Sequence, residues 1–321
     1  MEPILIEYDA GITCIDAMYM QPGHACCYLM VENGRAAFID TGTGHSVPYL
    51  LATLKLKNLS VEDVDYVIPT HVHLDHAGGA GLLMSKLPNA KLVIHPRGAQ
   101  HMIDPERLAA GTAAVYGEEK FKQYYGEIIP IDEPRVIVAK DEDEIQLASR
   151  ILKFLDAPGH ARHHFCVYDL TSESFFTGDT FGLSYKELDN EHGAFILPTT
   201  TPVQFEPDAW QNTLTRMLDH QPKNMYLTHF GRVTEIDQLG KQLREGIDEY
   251  ANIAKGCMNS EISSESREQT IKEKITEHLQ TKLRERYSES EVIEFTKLFD
   301  SDLDLNAAGL EVWVKRLEKA A

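Results

Sequence analysis

The stretch Thr70-His71-Val72-His73-Leu74-Asp75-His76-Ala77-Gly78-Gly79 constrains this chain more than any other. It places three histidines and an aspartate within six residues, directly after the apolar run Tyr66-Val67-Ile68-Pro69. A short apolar run bounded by polar residues reads as a buried strand. The ligand-type side chains then fall where a strand ends and a loop begins. His71 and His73, two apart in the last extended residues, are expected to point to one side. Asp75 and His76, past the turn, reach a different point in space. One segment thus offers two ligands to one metal and two to a neighbour. Fourteen histidines in 321 residues are only a mild enrichment. A chance cluster in a polar loop does not explain the order H-x-H-x-D-H after a strand.

The same arrangement recurs downstream. Ile151–Leu155 precedes Asp156-Ala157-Pro158-Gly159-His160, Ser174–Thr177 precedes Gly178-Asp179, and Met225–Thr228 precedes His229. Four apolar runs each deliver a candidate ligand just past their last residue, five His and two Asp in all. Strands lying side by side bring their ends to one rim, so these distant residues are expected to share a site.

The remaining strand signals are at 4–8, 12–19, 91–95, 135–138 and 144–148. Asn33-Gly34 stands between Cys27–Val31 and Arg35–Ile39. Asn-Gly between apolar runs is a hairpin signal, because both residues tolerate positive φ. Asp40-Thr41-Gly42 then closes a strand. Helical patterns are read at 46–57, 80–87, 97–127 and 208–219, the last opened by Pro207. The 97–127 insertion carries Tyr116, Phe121, Tyr124 and Tyr125, with core preferred over pocket wall as their place. From 234 onward strand signals vanish. Helical periodicity occupies 234–257, 265–286, 289–299 and 303–319, with a polar break at 259–264. The division expected is a catalytic domain at 1–232 and a C-terminal helical domain at 233–321.

The formal net charge of −19 disfavours nucleic acid and anionic membranes as partners. It leaves a small anionic substrate open, since bound cations reverse the local sign. Five cysteines, odd in number and without C-x-x-C, suggest neither a disulfide framework nor a thiolate metal site. A reducing cytoplasm is the compartment expected. No signal peptide precedes the first strand, and no apolar run approaches the ~20 residues that span a bilayer.

With its Pro-Gly-His and Gly-Asp-Thr contexts, this motif set resembles that of the metallo-β-lactamase-fold hydrolases over roughly residues 20–232. The resemblance implies an α/β fold, a four-layer αββα sandwich followed by the helical tail. It implies His71, His73 and His160 as ligands of a first metal, and Asp75, His76 and His229 as ligands of a second. Asp179 would bridge the two, and Asp75 and Asp179 would serve catalysis. Asp40 would orient a ligating histidine, unless it is only a turn cap. The run Asp75-His76-Ala77-Gly78-Gly79 is similar to that of lactonases of the fold. The tail is similar to that of glyoxalase-II-type hydrolases and of the thioesterase-like quorum-signalling enzymes. After Gly178-Asp179-Thr180, however, the chain reads Phe181-Gly182-Leu183-Ser184, not the Gly-Cys-Gly-Arg-like stretch of glyoxalase II.

Imidazole and carboxylate ligands without thiolate suit zinc, iron or manganese. Two divalent ions are expected as cofactors, zinc before iron or manganese, with a shared hydroxide as nucleophile. No G-x-S-x-G or Cys/His nucleophile motif competes. The substrate expected is a small acyl compound: an ester, thioester or lactone. Two alternatives are a mononuclear-iron persulfide dioxygenase and a regulatory binding protein that retains the metal site. His24, Tyr185 and His192 are candidates for the pocket, Tyr185 as a donor to an oxyanion. His163 and His164 read as core or surface imidazoles. Pairing into a homodimer through the tail is left open.

Overall fold

The computed structural model describes residues 2–200, 203–258 and 264–320, so all but the last residue of the polar break lie outside it. Among the described residues, thirteen strands form two sheets. The first holds, in spatial order, β1 (Leu5–Glu7), β2 (Ile12–Asp16), β3 (Cys26–Glu32), β4 (Arg35–Ile39), β5 (Val64–Ile68), β6 (Lys91–Ile94) and β7 (Val136–Val138). The second comprises β8 (Glu144–Leu147), β9 (Arg150–Asp156), β10 (Phe165–Asp169), β11 (Ser174–Gly178), β12 (Asn224–Leu227) and β13 (Gly231–Val233), in the order β13-β12-β11-β10-β9-β8.

The sheets pack face to face because their strands are apolar on both sides. In β3, Cys26, Tyr28 and Met30 enter the layer between the sheets, where they meet Phe154, Phe165, Phe176 and Tyr226 of the second sheet. Cys27 and Leu29, one residue out of phase, face the outer layer formed with α1 (Val47–Leu56) and α3 (Ala80–Lys86). That is the period-2 alternation of a strand buried on both faces. Each such aromatic contributes roughly 2–3 kcal/mol by leaving water. The second sheet's outer face carries Leu155, Phe175 and Met225 and is covered by α7 (Pro207–Asp219) and α8 (Ile236–Met258). The layers are therefore αββα, as the resemblance implies. The Asn33-Gly34 hairpin is present, with φ of 48° and 77°, pairing Glu32 with Arg35.

The insertion is three helices, α4 (Ala99–Ile103), α5 (Glu106–Tyr116) and α6 (Glu118–Tyr125). The tail adds α9 (Ser264–Arg284), α10 (Glu289–Leu298) and α11 (Asp300–Ala320). Leu279, Leu310 and Val314 of the tail belong to the same apolar cluster as Trp210 and Phe181, so one core runs across residue 233. The five cysteines form no disulfide. Among the described residues no helix is long and apolar enough to cross a membrane.

Two strands were not legible in the sequence, β10 and β13. The first begins right after the His163-His164 pair, and the second has three residues around a glycine. The strand expected to carry His71 and His73 ends earlier, at Ile68. Pro69 follows, and its missing N–H ends the ladder. His71 and His73 therefore belong to a loop, and Leu74–Ala77 is a single helical turn, α2.

One close approach ties the second sheet to α7. Gly159, beside His160, has φ of +142°, and a Cβ there would lie 2.3 Å from the Cβ of Trp210. Trp210 is fully buried and donates its indole N–H to the Thr180 carbonyl at 2.6 Å. Gly159→Ala is expected to lower stability by roughly 1–3 kcal/mol. Gly111→Ala, where a Cβ meets nothing within 4 Å inside α5, should be neutral or slightly stabilising. Thermal unfolding followed by circular dichroism distinguishes the two.

Candidate metal centre

Strand direction explains how the distant ligands meet. β9 and β11 are both antiparallel to β10, and β12 is parallel to β11, so all three end at one rim of the second sheet. His160, Asp179 and His229 follow those ends. In the first sheet β4 and β5 run parallel, which brings Asp40 beside the histidine loop. Two loops are stitched there by backbone hydrogen bonds, Thr41 N–H to the His76 carbonyl (2.7 Å) and Gly79 N–H to that of Gly42 (2.9 Å). A side chain at Gly79 would strike the carbonyls of Thr43 and Thr41, at 2.6 and 2.8 Å from its Cβ.

The candidate ligands form two groups whose donor atoms lie within 4.8 Å of one another. One is His71, His73, His160 and Asp179; the other is Asp75, His76 and His229. Asp179 faces both. Its Oδ1 is 3.1 Å from His76 Nε2 and 3.7 Å from His229 Nε2, and its Oδ2 is 3.4 Å from His160 Nε2. Asp75 Oδ2 is 3.3 Å from His229 Nε2.

Three of the imidazoles are aimed by what holds their other nitrogen. His76 Nδ1 is 2.9 Å from Asp40 Oδ2, and His229 Nδ1 donates to the His24 carbonyl at 2.6 Å. His160 Nδ1 meets the Thr199 carbonyl at 2.7 Å. Asp40 is itself held by the Thr70 N–H (2.7 Å) and by the hydroxyl of Thr228 (2.7 Å). Asp40 thus links His76 to Thr70 and Thr228, and Thr199 lies against His160. No sequence signal singled out those threonines beyond their place next to a ligand.

The electrostatics divide the histidines. Burial, then the surrounding imidazoles, holds His71 well below its ordinary range and His73 at about 3. For His76 and His229 burial acts in the same direction but loses to the carboxylates. Asp179 and Asp75 raise His76 well above its ordinary value and His229 to about 9. Asp75 is pushed up by burial, but His76 and His229 outweigh that and set it at about 2.

These residues fit divalent metal ions. His71 Nε2, His76 Nε2 and Asp179 Oδ1 are buried without a well-directed hydrogen bond. His160 Nε2 and His73 Nδ1 face each other at 3.2 Å. Leaving such atoms unsatisfied costs about 1–3 kcal/mol each. A cation that takes their lone pairs removes that cost.

A cavity of about 640 Å³ opens on this centre. His24 and Tyr185 line it, their rings stacked 4.9 Å apart. His192 does not line it. It is exposed in a turn where its N–H donates to Asn190 Oδ1 at 2.8 Å. Tyr185 is not free to donate to an oxyanion, because its hydroxyl lies 3.2 Å from both carboxylate oxygens of Asp302. Of the insertion aromatics, Tyr125 is buried, as preferred, and also borders the cavity, Tyr124 forms cavity wall, and Phe121 packs on Tyr125 at 5.7 Å. The side chain of Tyr116 lies outside those described. His164 is a core imidazole accepting from the Asp179 N–H at 3.3 Å, while His163 reaches the cavity edge. The tail's Asp302, missed in the sequence, belongs to the wall; an Asp in a helix's first turn carries no signal of that kind.

A sequence profile of the metallo-beta-lactamase superfamily matches residues 20–229. The metallo-beta-lactamase fold-containing protein ST1585 of Sulfurisphaera tokodaii is 26% identical over 246 residues, 75% of this chain and 87% of its own. Its solved structure superposes with a TM-score of 0.63 at 21% identity, covering 94% of this chain and 99% of that one. The human acyl-coenzyme A thioesterase MBLAC2 is 28% identical over 191 residues, 53% of this chain and 63% of the relative. A hydroxyacylglutathione hydrolase of Pelagibacter ubique is 27% identical over 155 residues, 48% and 49% respectively. This chain thus spans less than two thirds of either enzyme's length.

Two outcomes follow from the geometry. Asp40→Asn should weaken metal binding by about 10–100-fold through misdirection of His76, read by chelator competition. His229, raised to about 9 by Asp179 and Asp75, carries a proton at pH 7 in the metal-free chain. Metal uptake should therefore release a proton from His229, and this contribution should fade as pH rises through about 9. Calorimetry in buffers of different ionisation enthalpy measures this.

Proposed function

The chain belongs to the metallo-β-lactamase superfamily, and from that premise we propose that it is a hydrolase whose site holds two divalent metal ions and cleaves a small ester, thioester or lactone. The observation that carries this reading is Asp179, whose two oxygens turn toward separate groups of ligands. His71, His73 and His160 would hold one ion, Asp75, His76 and His229 the other, with Asp179 between them. Zinc is proposed before iron or manganese, although imidazole and carboxylate without thiolate suit all three. When bound, such a pair of ions lowers the pKa of a water toward ~7 and polarises the carbonyl to be attacked.

The chain's own residues supply position and polarity. Asp40, the His24 carbonyl and Thr199 fix the imidazole rings, so little reorganisation is needed when substrate arrives. Asp75, whose carboxylate stands at the centre 3.3 Å from His229 Nε2, is placed to accept a proton there and return it to a leaving group. Val72, Leu74 and Leu183 line the cavity and keep part of it dry around an acyl chain. Two of the relatives are named as an acyl-coenzyme A thioesterase and a hydroxyacylglutathione hydrolase. They support acyl transfer to water as the reaction class.

His73→Ala and Asp179→Asn should each abolish turnover of an ester, thioester and lactone panel. Elemental analysis should show about two metals per chain in the wild type and fewer in both variants. One iron per chain with oxygen uptake would point instead to the persulfide dioxygenase chemistry, and full activity in either variant would refute the reading.

A further inference from the structure

The tail helix α11 reaches into the cavity. Ser301, Asp302, Asp304 and Leu305 from its first turns form one wall, opposite the insertion helices. Acids in a first turn are favoured by the helix dipole, which accounts for Asp300. Asp300 and Asp304 both pair with Lys272, at 2.8 and 2.7 Å. Asp302 differs. It has no cationic partner among the described residues, and the side-chain hydrogen bond it receives comes from the Tyr185 hydroxyl.

That contact is rigidly built. The Tyr185 ring is stacked between His24 (4.9 Å) and Phe299 (5.3 Å), so its hydroxyl cannot swing away from Asp302. An ionised carboxylate has about four acceptor positions, and the Tyr185 hydroxyl and the residue's own backbone N–H leave about half of them unfilled. Burial pushes the Asp302 carboxyl up to about 6, as expected of a charge with too few partners. The wall carrying it is continuous with the metal centre, since the same cavity is lined by Asp75, Asp179 and His229.

Resting on the hydrolase reading, we infer that Asp302 is a specificity-determining residue: its carboxylate receives a hydrogen-bond donor on the substrate, a hydroxyl, amide N–H or ammonium, and turns away substrates that place an anionic group at that wall. A site built to accept a donor penalises an analogue that lacks it, and a like charge there is penalised more. The tail thereby selects among acyl substrates that the metal centre alone would treat alike.

The test uses the full-length metal-loaded protein and reads affinity by calorimetry. The probes are linear carboxylic acids of four to seven carbons whose far end is methyl, hydroxyl, ammonium or carboxylate. The carboxyl head is common to all, so differences report on the far end. At one chain length the wild type should prefer the ammonium or hydroxyl end over the carboxylate end by on the order of tenfold or more. Asp302→Asn, which keeps the shape, should shrink that preference to about twofold while leaving the methyl-ended acid unchanged. Tyr185→Phe, which removes the competing donor, should widen it. A wild type without the preference at any length, or an Asp302→Asn protein that retains it, overturns the inference. Binding is read without turnover, so a chain that hydrolyses nothing still reports on Asp302. Loss of the preference in an active hydrolase leaves the proposed reaction standing.

Discussion

Seven polar side chains crowded into one buried spot form the constraint on which this structure depends. His71, His76 and His160 are almost wholly buried, as are Asp40 and Asp179. Charged groups are not removed from water without partners, because the desolvation cost reaches several kcal/mol per ion. The fold meets this in two steps. Asp40 is neutralised by a buried imidazole and by the hydroxyls and N–H of Thr70 and Thr228. The lone pairs left over at His71, His76 and Asp179 all face a common space. The surrounding sheets therefore hold in place a set of groups whose free lone pairs are turned to one space.

The convergence rests on strand direction more than on local conformation. β9, β11 and β12 point the same way, and their interiors are fixed by large apolar side chains such as Phe154, Phe176 and Tyr226 between the sheets. Shifting any of these strands by one residue would exchange its two buried faces. The position of a ligand one or two residues beyond a strand end is thus set by the packing of the strand before it. This explains why residues as far apart as Asp75 and His229 arrive with their donor atoms 3.3 Å apart.

The same logic separates what the sequence disclosed from what it concealed. His71 to His76, His160, Asp179 and His229 were legible because ligand-type residues following apolar runs form a repeated, local pattern. The tail's helices were legible from their periodicity, and the Asn33-Gly34 hairpin from backbone sterics. Features that depend on how elements approach one another left no such trace. The histidine loop was taken for strand because Pro69 was counted inside the apolar run. Tyr185 was read as a free donor because nothing in its neighbourhood names Asp302, 117 residues away. His192 was grouped with the rim by chain position alone, and a turn carries it to solvent.

Asp302 also shows what a helical tail offers that a loop does not. A carboxylate opposite a metal centre needs to be held at a distance, since freedom to move would let it collapse onto the ions. α11 is anchored well away from the cavity. Arg267 of α9 is buried against Glu311 and Glu318, with contacts of 2.6 Å to each, and Trp313 meets Phe205 edge-on at 5.3 Å. Buried ion pairs of this kind add little net stability, but they fix register, because any other alignment leaves a charge unpaired. Asn306 adds a second lock near the cavity, accepting the Thr200 hydroxyl at its backbone carbonyl at 3.0 Å and donating to the Pro198 carbonyl at 3.2 Å. With register and rotation both set, the one acid of the first turn that lacks a lysine is presented to the cavity at a fixed place. The wall's chemistry is thus decided by contacts tens of residues from the metal motif, which is why the reaction class was readable and the substrate was not.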